Sequence, residues 1–188
     1  MALSKRIENR GNNRKKPQRT VIYILFFSVI LFFSAVFQTT CLTFFGKTAD
    51  LTLAFVCAIG FIAGERAGCI SGLASGILIS YIGITGISFA PIIYVICGYF
   101  CGAMVGWFLS QNLPSFILYS IIAGIVKEIF TVIYFGLFSN SFDLWQIFIK
   151  ITVPEFFAYL VCVIPAYGII LSIFTLFKGK DEKEKRRA

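Results

Sequence analysis

IGFIAGERAGCISGLASG, residues 59–76, carries a glycine at every fourth position: Gly60, Gly64, Gly68, Gly72 and Gly76. Inside a water-exposed helix each glycine costs about 1 kcal/mol relative to alanine. A run of five therefore needs a physical reason, and a lipid bilayer supplies one. Small residues at i and i+4 line one face of a membrane helix and let a neighbouring backbone approach closely. Glu65 and Arg66 interrupt the run. The stretch predicts two membrane helices joined by a short charged inner turn at these two residues.

The rest of the chain extends this reading outward. Of 188 residues, 58% are hydrophobic and 22 are phenylalanine, and the mean hydropathy is +0.86. Soluble domains lie nearer 45–50% apolar, so the composition predicts an all-α, polytopic membrane protein. The net charge of +8 is concentrated at the ends. Lys5, Arg6, Arg10, Arg14, Lys15, Lys16 and Arg19 precede the first apolar run, and Lys178, Lys180, Lys183, Lys185, Arg186 and Arg187 follow the last. Such flanking charges orient membrane spans and bind anionic lipid headgroups. They do not call for a nucleic-acid partner.

Apolar runs at residues 21–37, 51–64, 67–82, 89–109, 116–138 and 147–177 predict six transmembrane helices. The domain reading is a basic cytoplasmic tail over 1–20, a six-helix membrane domain over 21–178 and a charged cytoplasmic tail over 179–188. An even number of spans keeps both tails on the same, inner face of the membrane. The second run is short: at 1.5 Å per residue it covers about 20 Å of a hydrocarbon core of about 30 Å. The fourth carries a second glycine series, Gly98, Gly102 and Gly106, and Pro165 predicts a kink in the sixth. The two series predict a close packing of spans two to four, and glycine faces of this kind also suit a partner helix.

Lys127 and Glu128 interrupt the fifth run near its middle, and Glu155 enters just after Pro154. A charge at mid-bilayer costs about 2.5–3.5 kcal/mol on insertion scales and therefore faces protein or water. The three residues predict a buried cluster joining spans five and six. The plainer alternative is local neutralisation of Lys127 by Glu128, with Glu155 wet at the interface. No catalytic set is visible: the chain has no histidine, which excludes Ser-His-Asp and His-Glu-His zinc chemistry. The six cysteines mostly lie in apolar runs, where a thiol behaves as a small hydrophobe. No metal or cofactor is expected.

Several stretches, in order, resemble the bacterial rod shape-determining MreD family. Phe37-Gln38 closes the first span, and Ala49-Asp50-Leu51 opens the second. Gly64-Glu65-Arg66-Ala67-Gly68 precedes Gly72 and Gly76; Tyr94, Gly98 and Gly102 follow in span four; Pro154-Glu155 opens the last span, with Pro165 and Tyr167 behind it. Ser80 and Phe89 depart from the family pattern. The resemblance implies a non-enzymatic membrane scaffold of cell elongation and peptidoglycan synthesis, acting with an MreC-like protein and other elongation-complex proteins. It also implies a fold like the substrate-binding subunits of energy-coupling-factor transporters. That kinship supplies the alternative function, a vitamin-binding transporter subunit with a pocket near Asn140, Asp143, Glu155 and Tyr159. A bulky first span counts against the alternative, because such subunits dock through small residues four apart.

Overall fold

The computed structural model describes residues 26–38, 43–44, 47–82, 89–107, 112–138 and 148–185. The chain divides into Met1–Ile30, of which only helical residues 26–30 are described, and Leu31–Ala188, which holds every contact considered below. The basic N-terminal tail, the loop at Gly83–Gly86 and the segment Ser139–Trp145, with Asn140 and Asp143, lie outside the described residues.

Among the described residues the protein is helical apart from a minimal hairpin, Thr43–Phe44 against Lys47–Thr48, paired antiparallel. Six α-helices are described. They are α1 (Phe26–Gln38), α2 (Leu51–Ala63), α3 (Glu65–Ile82), α4 (Ala90–Trp107), α5 (Leu113–Phe138) and α6 (Val153–Lys185). A π-helical turn, Phe148–Thr152, leads into α6. Within α5 and α6, Leu113–Tyr134 and Val153–Leu176 are long and apolar enough to cross a bilayer; α1, α2 and Ala90–Val105 are shorter apolar helices.

The start sites follow from local chemistry. The second residue of α4, α5 and α6 is proline: Pro91, Pro114 and Pro154. Proline lacks an N–H and has a helical φ, so it fits the first turn, where that donor has no intrahelical acceptor. For this reason α5 begins at Leu113, three residues before the sequence-based start at Phe116, with the Phe116 amide donating to the Asn112 carbonyl at 3.1 Å. The helix α6 runs without a break through Pro165 to Lys185. Residues 179–185 of the expected charged tail are thus helical.

The helix α2 is the hub, packing against α3, α4, α5 and α6. Every residue from Thr52 to Ile62 is buried. A helix apolar on all sides belongs inside a protein, which accounts for its 13 residues. It need not match a bilayer's thickness when its ends are satisfied by protein. At the N-terminus Asp50 Oδ1 accepts from the Leu53 amide at 3.2 Å, while Gln38 Oε1 accepts from the Thr52 amide at 3.2 Å and its hydroxyl at 2.9 Å. These side chains fill acceptor positions that the first turn of any helix requires.

At the C-terminus the expected turn through Glu65 and Arg66 is replaced by a turn through one residue. Gly64 has φ 94° and ψ 174°, and Glu65 and Arg66 already belong to the first turn of α3. That backbone conformation is essentially restricted to glycine. Gly64 is therefore a hinge between two helices and not a packing rung, since a methyl there would meet nothing within 4 Å.

The other glycines of the ladder lie where backbones approach. A methyl on Gly68 would sit 2.7 Å from the Gly98 carbonyl carbon and 2.9 Å from the Gly60 Cα. Gly72 faces Tyr94, Gly76 faces Pro91, and Gly102 faces Glu65 at the start of α3. Helices α2, α3 and α4 thus meet backbone to backbone. Gly106 is the next rung of α4, and its surroundings lie outside the described residues.

Candidate functional site

Near the opposite end of α2 from Gly64, α5 and α6 bring four charged groups together. Lys127 lies in the interior of α5 with 4% of its surface exposed. Its ammonium donates to Glu128 Oε1 at 3.0 Å and to Glu155 Oε1 on the first turn of α6. It also lies 3.5 Å from Asp50 Oδ2, at the N-terminus of α2. Lys127 meets its neighbour Glu128 and also reaches Glu155 across helices. Asp50 is the addition. It stands just before α2 and is 1% exposed.

Asp50 joins several elements at once. Its Oδ1 caps α2 and accepts from the Tyr94 hydroxyl of α4 at 2.6 Å, while its Oδ2 faces Lys127 on α5. A carboxylate used in this way has three kinds of partner, each supplying a donor or a cation that burial would otherwise leave unmatched. A signal for it existed in the sequence. An aspartate immediately before an apolar run reads as an N-cap, and an N-cap of a helix buried all round is itself buried.

Hydrogen bonds around the cluster tie its helices to one another. The Tyr159 hydroxyl donates to the Ser120 carbonyl at 3.0 Å and lies 3.8 Å from Cys57 Sγ, linking α6 to α5 and α2. Thr131 Oγ1 returns to the Lys127 carbonyl at 3.0 Å. Towards the Gly64 end of α2, an aromatic group closes the core. Phe116 and Tyr167 stack with centroids 4.7 Å apart, and Phe61 meets their edges at 5.3 and 6.1 Å. Aromatic pairs of this kind contribute about 0.5–1.5 kcal/mol each beyond the area they bury.

Electrostatically the cluster is unbalanced. One ammonium faces the carboxylates of Asp50, Glu128 and Glu155. An ion pair taken out of water is stable only when its remaining polar atoms find partners. Two do not find a hydrogen bond among the described residues: Asp50 Oδ2, which has only its 3.5 Å approach to Lys127, and Glu128 Oε2. Thr152 Oγ1, on the π-helical turn before α6, is a third buried oxygen without one.

The remaining predicted residues lie apart from this cluster. Glu65 and Arg66 are exposed on the first turn of α3, where an acidic side chain suits the positive end of the helix. Tyr159, considered for a transporter pocket, is a core residue with 2% exposure. Cys57, Cys97, Cys101 and Cys162 are buried free thiols, and among the described residues no group of three or more His, Cys, Asp or Glu side chains is placed to hold a metal ion. In comparisons with known proteins, no family model, no curated protein and no solved structure matches this chain.

Proposed function

We propose that the chain is a multi-pass protein of the bacterial plasma membrane that serves as a non-enzymatic scaffold of the cell-elongation machinery, with both basic tails cytoplasmic. The observation that carries this reading is the cluster around Lys127. Gln38, Asp50, Tyr94 and Glu155 come from four separate stretches that resemble the rod shape-determining family. All four converge around the N-terminus of α2 and the Lys127 ammonium. Residues with a common structural purpose are expected to meet in this way.

The surface supports the membrane part of the proposal. Large apolar side chains stand outward on five helices, among them Phe33 of α1, Ile77 of α3, Ile92 of α4, Ile129 of α5 and Val161 of α6, each more than half exposed. An apolar surface of this extent suits lipid or protein neighbours and not water. In the proposed setting the basic tails hold anionic headgroups, and the partners are an MreC-like protein and other elongation-complex proteins. No cofactor, metal or nucleic acid enters.

The test is depletion of the protein in its source organism, followed by microscopy and complementation. Rounded or swollen cells, restored by the wild-type gene and not by Lys127→Ala, are expected. Normal shape together with a vitamin requirement would overturn the scaffold reading and favour the transporter-subunit alternative.

A further inference from the structure

Beside the charge cluster, the outer part of α5 and the start of α6 enclose a groove of about 400 Å³. Its walls include Ile129, Ile133, Phe148 and Phe157, and Glu128 and Thr152 also line it. The volume falls in the range of small-molecule sites, which are mostly apolar with a few fixed polar groups. Those polar groups are unusual here. Glu128 and Thr152 are 6% and 4% exposed. Each keeps one buried oxygen, Glu128 Oε2 and Thr152 Oγ1, without a hydrogen-bond partner among the described residues.

A buried acceptor left unmatched costs roughly 1–3 kcal/mol, and more when it is charged. Behind Glu128, the carboxylates of Asp50 and Glu155 share the single ammonium of Lys127. The groove therefore combines apolar walls with an excess of negative charge buried beneath its floor. That combination selects an occupant with an apolar chain and a positively charged, hydrogen-donating end. An anionic head would face two further like charges in a medium of low dielectric.

We propose that this groove binds a single-chain amphiphile carrying a protonated amine, with the chain along Ile129, Ile133 and Phe157 and the ammonium donating to Glu128 and Thr152. Both oxygens lie beneath the apolar surface, so binding draws the Glu128 carboxylate toward the groove. The amine can belong to a free long-chain amine or to the headgroup of an amine-bearing lipid. The proposal rests on residence in a membrane and is independent of any role in cell elongation.

The test uses the full chain in phosphatidylcholine nanodiscs and a dodecylamine probe with a photoreactive diazirine in its chain. Labelling is mapped by mass spectrometry of the digested protein. The expected labels fall within residues 125–133 and 148–157. They are competed by dodecylamine about tenfold more strongly than by dodecanoate, since a like charge replaces an opposite one at the floor. Nanodiscs containing phosphatidylethanolamine separate the sources: loss of probe labelling there assigns the site to a lipid headgroup, and unchanged labelling assigns it to a free amine. Glu128→Gln should weaken labelling about tenfold. Ile129→Trp, on the exposed wall and away from the ion pairs, should block it without changing the melting temperature. Equal competition by dodecanoate, or labelling indifferent to Ile129→Trp, would overturn the proposal. Either result would mark the groove as a general apolar surface, of the kind a partner's transmembrane helix covers.

Discussion

Two regions share the helix α2 and are held together in opposite ways. On one side α3 and α4 meet α2 through glycines. Gly60, Gly68 and Gly98 bring three backbones into contact with no side chain between them. On the other side α5 and α6 are joined to α2 through Lys127, Asp50 and Glu155, and through the aromatic group of Phe61, Phe116 and Tyr167. The first region is governed by shape. Its glycine contacts involve no charge and leave no room for a single added methyl. The second is governed by electrostatics. It tolerates changes of shape at its rim but not loss of its one cation. The difference teaches that close packing and ion pairing are alternative solutions to one problem, the fixing of a short, almost wholly apolar central helix that has no polar face to orient it.

The largest effect is expected from removing the cation. Lys127→Ala leaves Asp50, Glu128 and Glu155 without a counter-ion. Breaking a buried pair from one side costs about 3–5 kcal/mol. Thermal unfolding of the purified protein should show a lowered and broadened transition, and expression should fall. A melting temperature within about 2 °C of wild type, a change of at most about 1 kcal/mol for a domain of this size, would mean that the charges do not hold the helices together.

Next comes the shape region. Gly68→Ala forces backbone apart at 2.7 and 2.9 Å, and overpacking of this kind costs about 1–3 kcal/mol. Gly64→Ala is the sharper companion. It has open space around it, so any loss, expected at about 1–3 kcal/mol, comes from its backbone conformation alone. Adding salt should change neither result, because neither depends on charge. A Gly68→Ala protein as stable as wild type would break the contrast between the two regions.

Asp50 divides the effects within the charged region. Asp50→Asn keeps an acceptor for Leu53 and Tyr94 and remains a good N-cap. It also relieves one excess negative charge, so its stability should lie within about 1 kcal/mol of wild type. Asp50→Ala loses the cap and strands the Tyr94 hydroxyl, for a cost of about 2–3 kcal/mol. Equal losses for the two variants would show that the charge of Asp50, and not its hydrogen bonding, is what matters. The smallest effect belongs to Leu73→Ala, which is 51% exposed on α3 and should stay within about 0.5 kcal/mol.

Much of this contrast was legible in the residues. Lys127 with Glu155 could be paired from the sequence because a charge inside an apolar run must face protein or water, and few other charges lie within its reach. The glycine series pointed to close packing because repeated small residues have little other use in an apolar helix. Gly64 was misread because the four-residue spacing continues straight across the break. Only its φ reveals that it is a hinge, and periodicity carries no information about φ. Asp50 was missed for a different reason. Its approach to Lys127 depends on where the start of α2 comes to lie relative to α5, and contact between residues so far apart in sequence is settled by tertiary packing. The groove behind Glu128 was equally invisible, since it exists only between α5 and α6.

The central claim is that a buried ion pair across α5 and α6 fixes this side of the molecule. A double-mutant cycle of Lys127→Met, Glu155→Gln and the pair together, followed by equilibrium unfolding in detergent, tests it most directly. The account predicts a coupling energy of about 1.5 kcal/mol or more, with the double variant more stable than the sum of the single losses allows. Single losses that add to within about 0.5 kcal/mol would contradict it.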